Sequence, residues 1–123
     1  MPRSASESTQ QSSDVGLLRG TLDLFVLKTL SWGPMHGLAI LQWIERVTNQ
    51  RLQIEEGALY PALHRMEEKG WLEAEWGHTD AGRRAKFYRL SPVGRRQLTA
   101  ELARWNQYAE AAALILEARG GST

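Results

Sequence analysis

The stretch GALYPALHRMEEKGWL, residues 57–72, turns a tyrosine, a histidine and an arginine away from the apolar side of a helix. Its apolar residues recur at spacings of three and four, which is the pattern of an amphipathic helix. The candidate DNA-binding residues of this helix are Gly57, Ala58, Tyr60, Pro61, His64 and Arg65. A phenol hydroxyl, an imidazole and a guanidinium can each donate a hydrogen bond to a phosphate or to a base edge. These donors make the outward face of the helix a candidate binding surface, and nucleic acid is one partner that it could bind.

Two structural alternatives stay open for these side chains. The face could simply be solvated, with Arg65 forming an ion pair within the helix with Glu67 or Glu68. The Tyr60 ring could instead be partly buried and packed on the wing. Acidic residues also flank the helix, at Glu55, Glu56, Glu67 and Glu68. They would repel phosphates if they faced a DNA groove, so we expect them to point aside.

A second group of candidate DNA-binding residues lies further along the chain. Four cations fall within seven residues, at Arg83, Arg84, Lys86 and Arg89, whereas Asp80 is the only acid nearby. The whole chain has a net charge of only +1, so this local excess stands out. We predict that Arg83, Arg84 and Lys86 contact the DNA backbone, and the alternative is a solvated loop.

Other kinds of chemistry find little support in the sequence. There is no Cys, which excludes thiolate nucleophiles and thiolate metal sites. The three His residues lack metal-ligand spacing, and no glycine-rich phosphate loop or Ser-His-Asp arrangement is present. We predict a protein that is not an enzyme and has no cofactor or metal. His36, beside a glycine where a helix begins, is interpreted as a capping residue.

Three predicted helices position the candidate DNA-binding residues of the stretch 57–72. Apolar spacing predicts one helix from Leu17 to just before Gly33, with Leu18, Leu22, Phe25, Val26 and Leu30 on one side. A second begins near His36 and turns Ile40, Leu41, Ile44 and Val47 inward. The third, called the recognition helix below, must start near residues 55–57, because Pro61 is tolerated only close to a helix start. It buries Leu59, Ala62, Leu63 and Met66 and ends at Gly70.

A β-hairpin and a long helix complete the predicted architecture. Leu72, Ala74 and Trp76 alternate as the inward face of one strand, and residues 85–90 form the other, with Tyr88 and Leu90 inward. Ser91-Pro92 is a strong helix start. The helix that follows is predicted to reach about Arg119 and carries an apolar stripe of Leu98, Leu102, Trp105, Ala109, Ala112 and Leu116. This stripe predicts a dimerisation surface, and the alternative is packing on the first helix of the same chain.

The order of elements is that of a winged helix-turn-helix, mainly α with a small β-hairpin. We predict three regions: a disordered N-terminal tail (1–14), a winged helix-turn-helix domain (15–91) and a C-terminal dimerisation helix (92–119). No apolar stretch approaches the length of a membrane span, and no signal peptide is evident. We expect a cytoplasmic protein without membrane partners.

Several motif blocks resemble the PadR family of transcriptional regulators. LYPALHRMEEKGWL is followed by GRRAKFYRLSPVGRRQL, and the resemblance covers roughly residues 17–118. The single helix after the wing is similar to that of the small PadR subfamily. The resemblance implies a homodimer that is paired through that helix and acts as a repressor on a near-palindromic double-stranded DNA operator. The alternative function is a winged-helix module that binds another protein.

The resemblance also implies space for a small aromatic effector. Trp105 precedes the small residues Ala109 and Ala112 in the stripe, which could leave an aromatic-lined gap. Trp76 is the second candidate effector-binding residue. Plain core or interface packing is the alternative for both indoles.

Overall fold

The structure, a computed structural model, describes residues 20–120 of the chain. This part contains four helices, α1 (Thr21–Leu30), α2 (Gly37–Val47), α3 (Glu56–Glu68) and α4 (Pro92–Leu116), and three strands, β1 (Met35–His36), β2 (Leu72–His78) and β3 (Arg84–Leu90). The order confirms the predicted winged helix-turn-helix with a long C-terminal helix. The predicted tail (1–14) and the first helical residues, Leu17 and Leu18, lie outside the described residues.

Helix α1 lies at the centre of the fold. It contacts α2, α3, α4 and β3. Because neighbours surround it, α1 buries Leu24 and Leu27 as well as the predicted Val26 and Leu30. Leu22 and Phe25, which were predicted on the same inward side, are only partly buried.

Helix α2 begins as the sequence indicates. The His36 Nδ1 atom accepts a hydrogen bond from the Ala39 backbone N–H at 3.3 Å, which confirms His36 as the capping residue. Ile40 and Ile44 are buried in the core. The prediction for Val47 is wrong, because the last turn of α2 extends past the core and leaves this side chain exposed.

Helix α3 follows the prediction closely. It starts at Glu56, so Pro61 lies in the second turn, near the start. Its buried residues are Leu59, Ala62, Leu63 and Met66. Gly70 follows the helix with a φ of 79°, a left-handed conformation that glycine adopts without steric cost.

The predicted hairpin is part of a three-stranded antiparallel sheet with the order β1-β3-β2. Tyr88 and Leu90 are buried, as predicted. The third strand, β1, was missed because two residues are too few to show an alternating pattern. Trp76 was predicted to face inward but is 56% exposed, since β2 runs beyond the core into the free end of the hairpin.

Helix α4 is joined to the sheet by a close contact. The Ser91 hydroxyl oxygen accepts from the Gly94 N–H at 3.0 Å, and the Ser91 N–H donates to the Trp71 carbonyl at 3.0 Å. A Cβ atom on Gly94 would overlap that same carbonyl oxygen, so glycine is required at this crossing. The helix ends at Leu116, three residues before the predicted end at Arg119, and Glu117 provides the C-cap. Within residues 20–120, no helix combines the length and hydropathy needed to cross a bilayer.

Candidate DNA interface

The outward face of α3 and the hairpin enclose one groove. Its volume is about 580 Å³, and residues from the first turn of α2, from α3, β2, β3 and the hairpin loop line it. The predicted site residues that line this groove are Tyr60, His64, Arg83, Arg84 and Lys86. Gly57, Ala58 and Pro61 are exposed on α3 but do not line it. Two candidate groups that are separated in sequence therefore share one surface.

Tyr60 is held against the start of α2. A Cβ atom built on Gly37 would lie 2.5 Å from the Tyr60 hydroxyl oxygen, so only glycine leaves room for this ring. The side chain is still 38% exposed, so the ring is partly covered, but the close contact is with Gly37 of α2, whereas the sequence-based alternative named the wing. Burial and, to a smaller extent, the Glu56 carboxylate raise the pKa of Tyr60. The hydroxyl therefore remains a hydrogen-bond donor at neutral pH.

The tip of the hairpin presents two free cations. The loop is closed by hydrogen bonds between Thr79 and Arg83, and Gly82 adopts a φ of 84° there. Among residues 20–120, neither Arg83 nor Arg84 has a carboxylate partner. The Arg84 guanidinium stacks over the Trp76 ring at 4.3 Å from the ring centroid, an interaction that orients it.

The other two hairpin cations are paired with acids. Lys86 Nζ lies 3.2 Å from Glu67 Oε1 on α3. Arg89 lies 3.0 Å from Glu73 and 3.6 Å from Glu75 on the neighbouring strand. The expectation that only Asp80 opposes these cations is therefore wrong, because strand pairing and the packing of α3 bring acids that are distant in sequence beside them.

Arg65 does not face the groove. Its Nη1 and Nη2 atoms donate to Asp23 Oδ2 and Oδ1 of α1 at 2.7 and 2.8 Å. This bidentate hydrogen bonding raises the pKa of Arg65. The predicted alternative partners, Glu67 and Glu68, are wrong, because Arg65 points along the side of α3 that packs toward α1.

Sequence reasoning missed two residues that shape the interface, Gly37 and Asp23. A glycine directly after the His36 cap was visible, but nothing in the sequence indicated that Tyr60 would pack on it. Within the described range 20–120, no group of three or more His, Asp or Glu residues could hold a metal ion.

The two candidate effector residues lie in different places. Trp105 lines a groove of about 470 Å³ between α1 and α4, together with Gly20, Thr21, Leu24, Glu101, Arg104 and Tyr108. Trp76 lines the groove beside α3 instead. The Trp105 and Tyr108 ring centroids are 6.3 Å apart, and both rings line the groove between α1 and α4. One chain alone therefore provides an aromatic side of this groove.

The predicted dimerisation stripe of α4 is divided between two environments. Leu98 packs against the core, and Trp105, Ala109 and Ala112 are half-buried. Leu102 and Leu116 are exposed. Packing on the first helix of the same chain, the alternative raised from the sequence, therefore accounts for only part of the stripe.

Comparisons with known proteins agree with this architecture. The model of the transcriptional regulator PadR-like family matches residues 26–100. Transcriptional regulator Rv3488 of Mycobacterium tuberculosis is 35% identical over 81 residues, which are 66% of this chain and 72% of that protein. The crystal structure of a PadR family transcriptional regulator from Eggerthella lenta has 31% identity and a TM-score of 0.69, covering 82% of this chain and 86% of that one. A transcriptional regulator from Clostridium thermocellum has 26% identity and a TM-score of 0.70, covering 76% and 91% of the two chains.

The family match spans more than half of the chain and includes α2, α3 and the whole wing. Members of this family regulate transcription by binding DNA through a winged helix and are not enzymes. The chain belongs to the PadR-like family of transcriptional regulators.

Proposed function

We propose that this protein is a homodimeric repressor that binds a near-palindromic operator in duplex DNA. One observation carries the proposal: the outward side chains of α3 and the unpaired arginines of the wing tip line the same groove. In this arrangement α3 enters the major groove while the hairpin tip lies along the phosphate backbone.

The first turns of α3 supply the contacts that would read sequence. Gly57 and Ala58 lack long side chains and allow the helix to approach the bases closely. Tyr60 and His64 carry donors that reach a phosphate or a base edge. Because Tyr60 is fixed against Gly37, its hydroxyl is presented in one orientation before DNA arrives.

The wing tip supplies affinity that does not depend on sequence. Arg83 and Arg84 are exposed, and no acid within residues 20–120 forms an ion pair with either of them in competition with a phosphate. Lys86 is already bound to Glu67, so we assign it a smaller share of the backbone contact. Two phosphate contacts per protomer would release counterions and make binding depend on salt.

Exposed apolar residues on α4 support the homodimer. Two residues of the stripe, Leu102 and Leu116, are 41% and 82% exposed on one 25-residue helix. A second copy of α4 would cover part of this surface. For both α3 helices to enter successive major grooves, that dimer contact must hold them about 34 Å apart.

The groove at Trp105 supports a ligand response. It lies between α1 and α4, so a planar aromatic compound bound there would alter the angle at which α4 leaves the winged helix. Such a change would alter the separation of the two α3 helices and release the operator. Titration with acridine should quench tryptophan fluorescence in the wild type but not in Trp105→Ala, and quenching that persists would remove Trp105 from the site.

Selection of bound sequences from random duplex DNA tests the DNA-binding proposal. We expect an enriched near-palindrome with two half-sites about one helical turn apart. If the purified chain binds no duplex at low ionic strength, the protein-binding alternative takes its place.

The selected operator then allows a test of the wing. Replacing both Arg83 and Arg84 with Ala should weaken binding to every duplex and reduce the slope of log affinity against log salt by about 1.8 per protomer. Arg89→Ala is the matched control, because Arg89 lies on the same hairpin but is held by Glu73 and Glu75. An unchanged slope in the double variant would contradict the wing assignment.

A further inference from the structure

We propose that Arg65 positions the recognition helix α3 through Asp23 and does not itself contact DNA. This inference rests on the proposed DNA-binding function and deepens it. It also revises the sequence-based assignment of Arg65 as a direct contact.

The geometry of the pair leaves Arg65 little freedom to reach a phosphate. Both terminal nitrogens of its guanidinium donate to Asp23, one to each carboxylate oxygen, at 2.7 and 2.8 Å. Such a bidentate pair fixes the plane of the guanidinium as well as its distance. The Asp23 side chain is only 18% exposed and the Arg65 side chain 46%, so solvent screens the pair incompletely.

Asp23 belongs to a helix, α1, that contacts four other elements of the fold. It lies in the first turn of α1, where the partial positive charge of the helix N-terminus stabilises a carboxylate. Its neighbour Leu24 is buried. Because α1 contacts both α3 and α4, the ion pair links the recognition helix α3 to the same helix on which α4 packs.

Arg65 lies on α3 between the face buried in the core and the face that lines the groove. Met66, the next residue, is fully buried in the core, whereas His64, the preceding residue, lines the groove beside the wing. Close packing in the core fixes the buried face of α3. The bidentate pair at residue 65 adds a directional constraint at the edge of that face, which refines the angle at which His64 and Tyr60 face the DNA.

The two possible roles of Arg65 predict opposite effects of changing Asp23. If Arg65 bound a phosphate, Asp23 would compete for it, and Asp23→Asn would strengthen DNA binding. If Arg65 is a positioning residue, Asp23→Asn removes the anchor and weakens binding to the operator.

The experiment measures binding of the full chain to the selected operator and to a random duplex over a range of salt concentrations. We expect Asp23→Asn and Arg65→Ala each to weaken operator binding about tenfold, with the double variant no weaker than either, because one shared contact is lost. Random-duplex affinity and the salt slope should stay at the wild-type values. Glu110→Gln is the control for net charge, because it removes one negative charge, as Asp23→Asn does, from an exposed residue of α4.

Arg65→Lys keeps the result decisive if either larger change unfolds the chain. Lysine retains the charge but cannot pair bidentately, so operator binding should fall while the salt slope stays unchanged. The inference is overturned if Asp23→Asn binds the operator as tightly as the wild type or more tightly, or if Arg65→Ala lowers the slope by about 0.9. Failure of the wild type to bind any duplex would instead overturn the proposed function itself.

Discussion

The winged-helix body, residues 20–91, and helix α4 differ in how they bury apolar side chains. Helix α3 has 13 residues and buries four of them, Leu59, Ala62, Leu63 and Met66. Helix α4 has 25 residues, and Gly94 is the only buried one. The body therefore buries its own core, whereas α4 leaves apolar side chains exposed, and the proposed dimer would cover part of them. Stability should reside in the body, and assembly should depend on α4.

Matched leucine truncations should separate the two regions most clearly. Leu63 is fully buried, so Leu63→Ala should lower the free energy of unfolding by about 3 kcal/mol. Leu114 is 75% exposed, and Leu114→Ala should change the free energy of unfolding by less than about 0.5 kcal/mol. Urea denaturation at one fixed protein concentration measures both. Equal losses would show that α4 is as much a part of the core as α3.

A charge placed in the apolar stripe should disrupt assembly without unfolding the body. Leu102→Asp would bury a carboxylate in the proposed dimer contact, and we expect the dimer dissociation constant to rise about a hundredfold, or ~2.7 kcal/mol. Leu114→Asp is the control, since Leu114 is exposed and lies outside the stripe. Sedimentation equilibrium measures the constants. A Leu102→Asp protein that remains dimeric would exclude this stripe as the interface.

The junction between the two regions can be tested by substituting Gly94, which lies there, and comparing the result with a substitution at Gly57 on α3. Alanine at Gly94 would push α4 away from the Trp71 carbonyl, and we expect it to cost about 2 kcal/mol of stability. Alanine at Gly57 meets no atom within 4 Å and should stabilise α3 by about 0.5 kcal/mol. Thermal unfolding gives the sign of each change. A neutral Gly94→Ala would mean that α4 can move on the body without cost.

What could be predicted from the sequence was local. The burial of Leu59, Leu63 and Met66 follows from a repeat that a single helix displays, and the Ser91 cap from two adjacent residues. The order of these elements along the chain then indicated a winged helix-turn-helix, and the family resemblance supported it.

What was missed depends on contacts between distant residues. Asp23 and Arg65 are 42 positions apart, whereas the sequence suggested Glu67 or Glu68 of the same helix as the partner. The Lys86–Glu67 pair joins residues 19 positions apart in different elements. Charge patterns along one helix or one loop cannot reveal such pairs, so the sequence overstated the number of free cations at the interface.

The smallest expected effect concerns Trp76, which the sequence placed inside and the structure places on the wing beside Arg84. The exposed indole stacks on the Arg84 guanidinium, and such contacts contribute about 0.5–1 kcal/mol. Trp76→Ala should therefore weaken operator binding about threefold, because Arg84 must then be ordered by the DNA itself. Trp76→Phe keeps an aromatic face and should lose less.

The Arg84→Ala background distinguishes an indirect role of Trp76 from a direct one. If the indole acts only by orienting Arg84, Trp76→Ala should have no further effect once that guanidinium is absent. Fluorescence anisotropy of a labelled operator resolves a threefold change. If Trp76→Ala still weakens operator binding threefold in the Arg84→Ala background, Trp76 contacts the DNA itself. The wing would then bind through an aromatic ring as well as through charge.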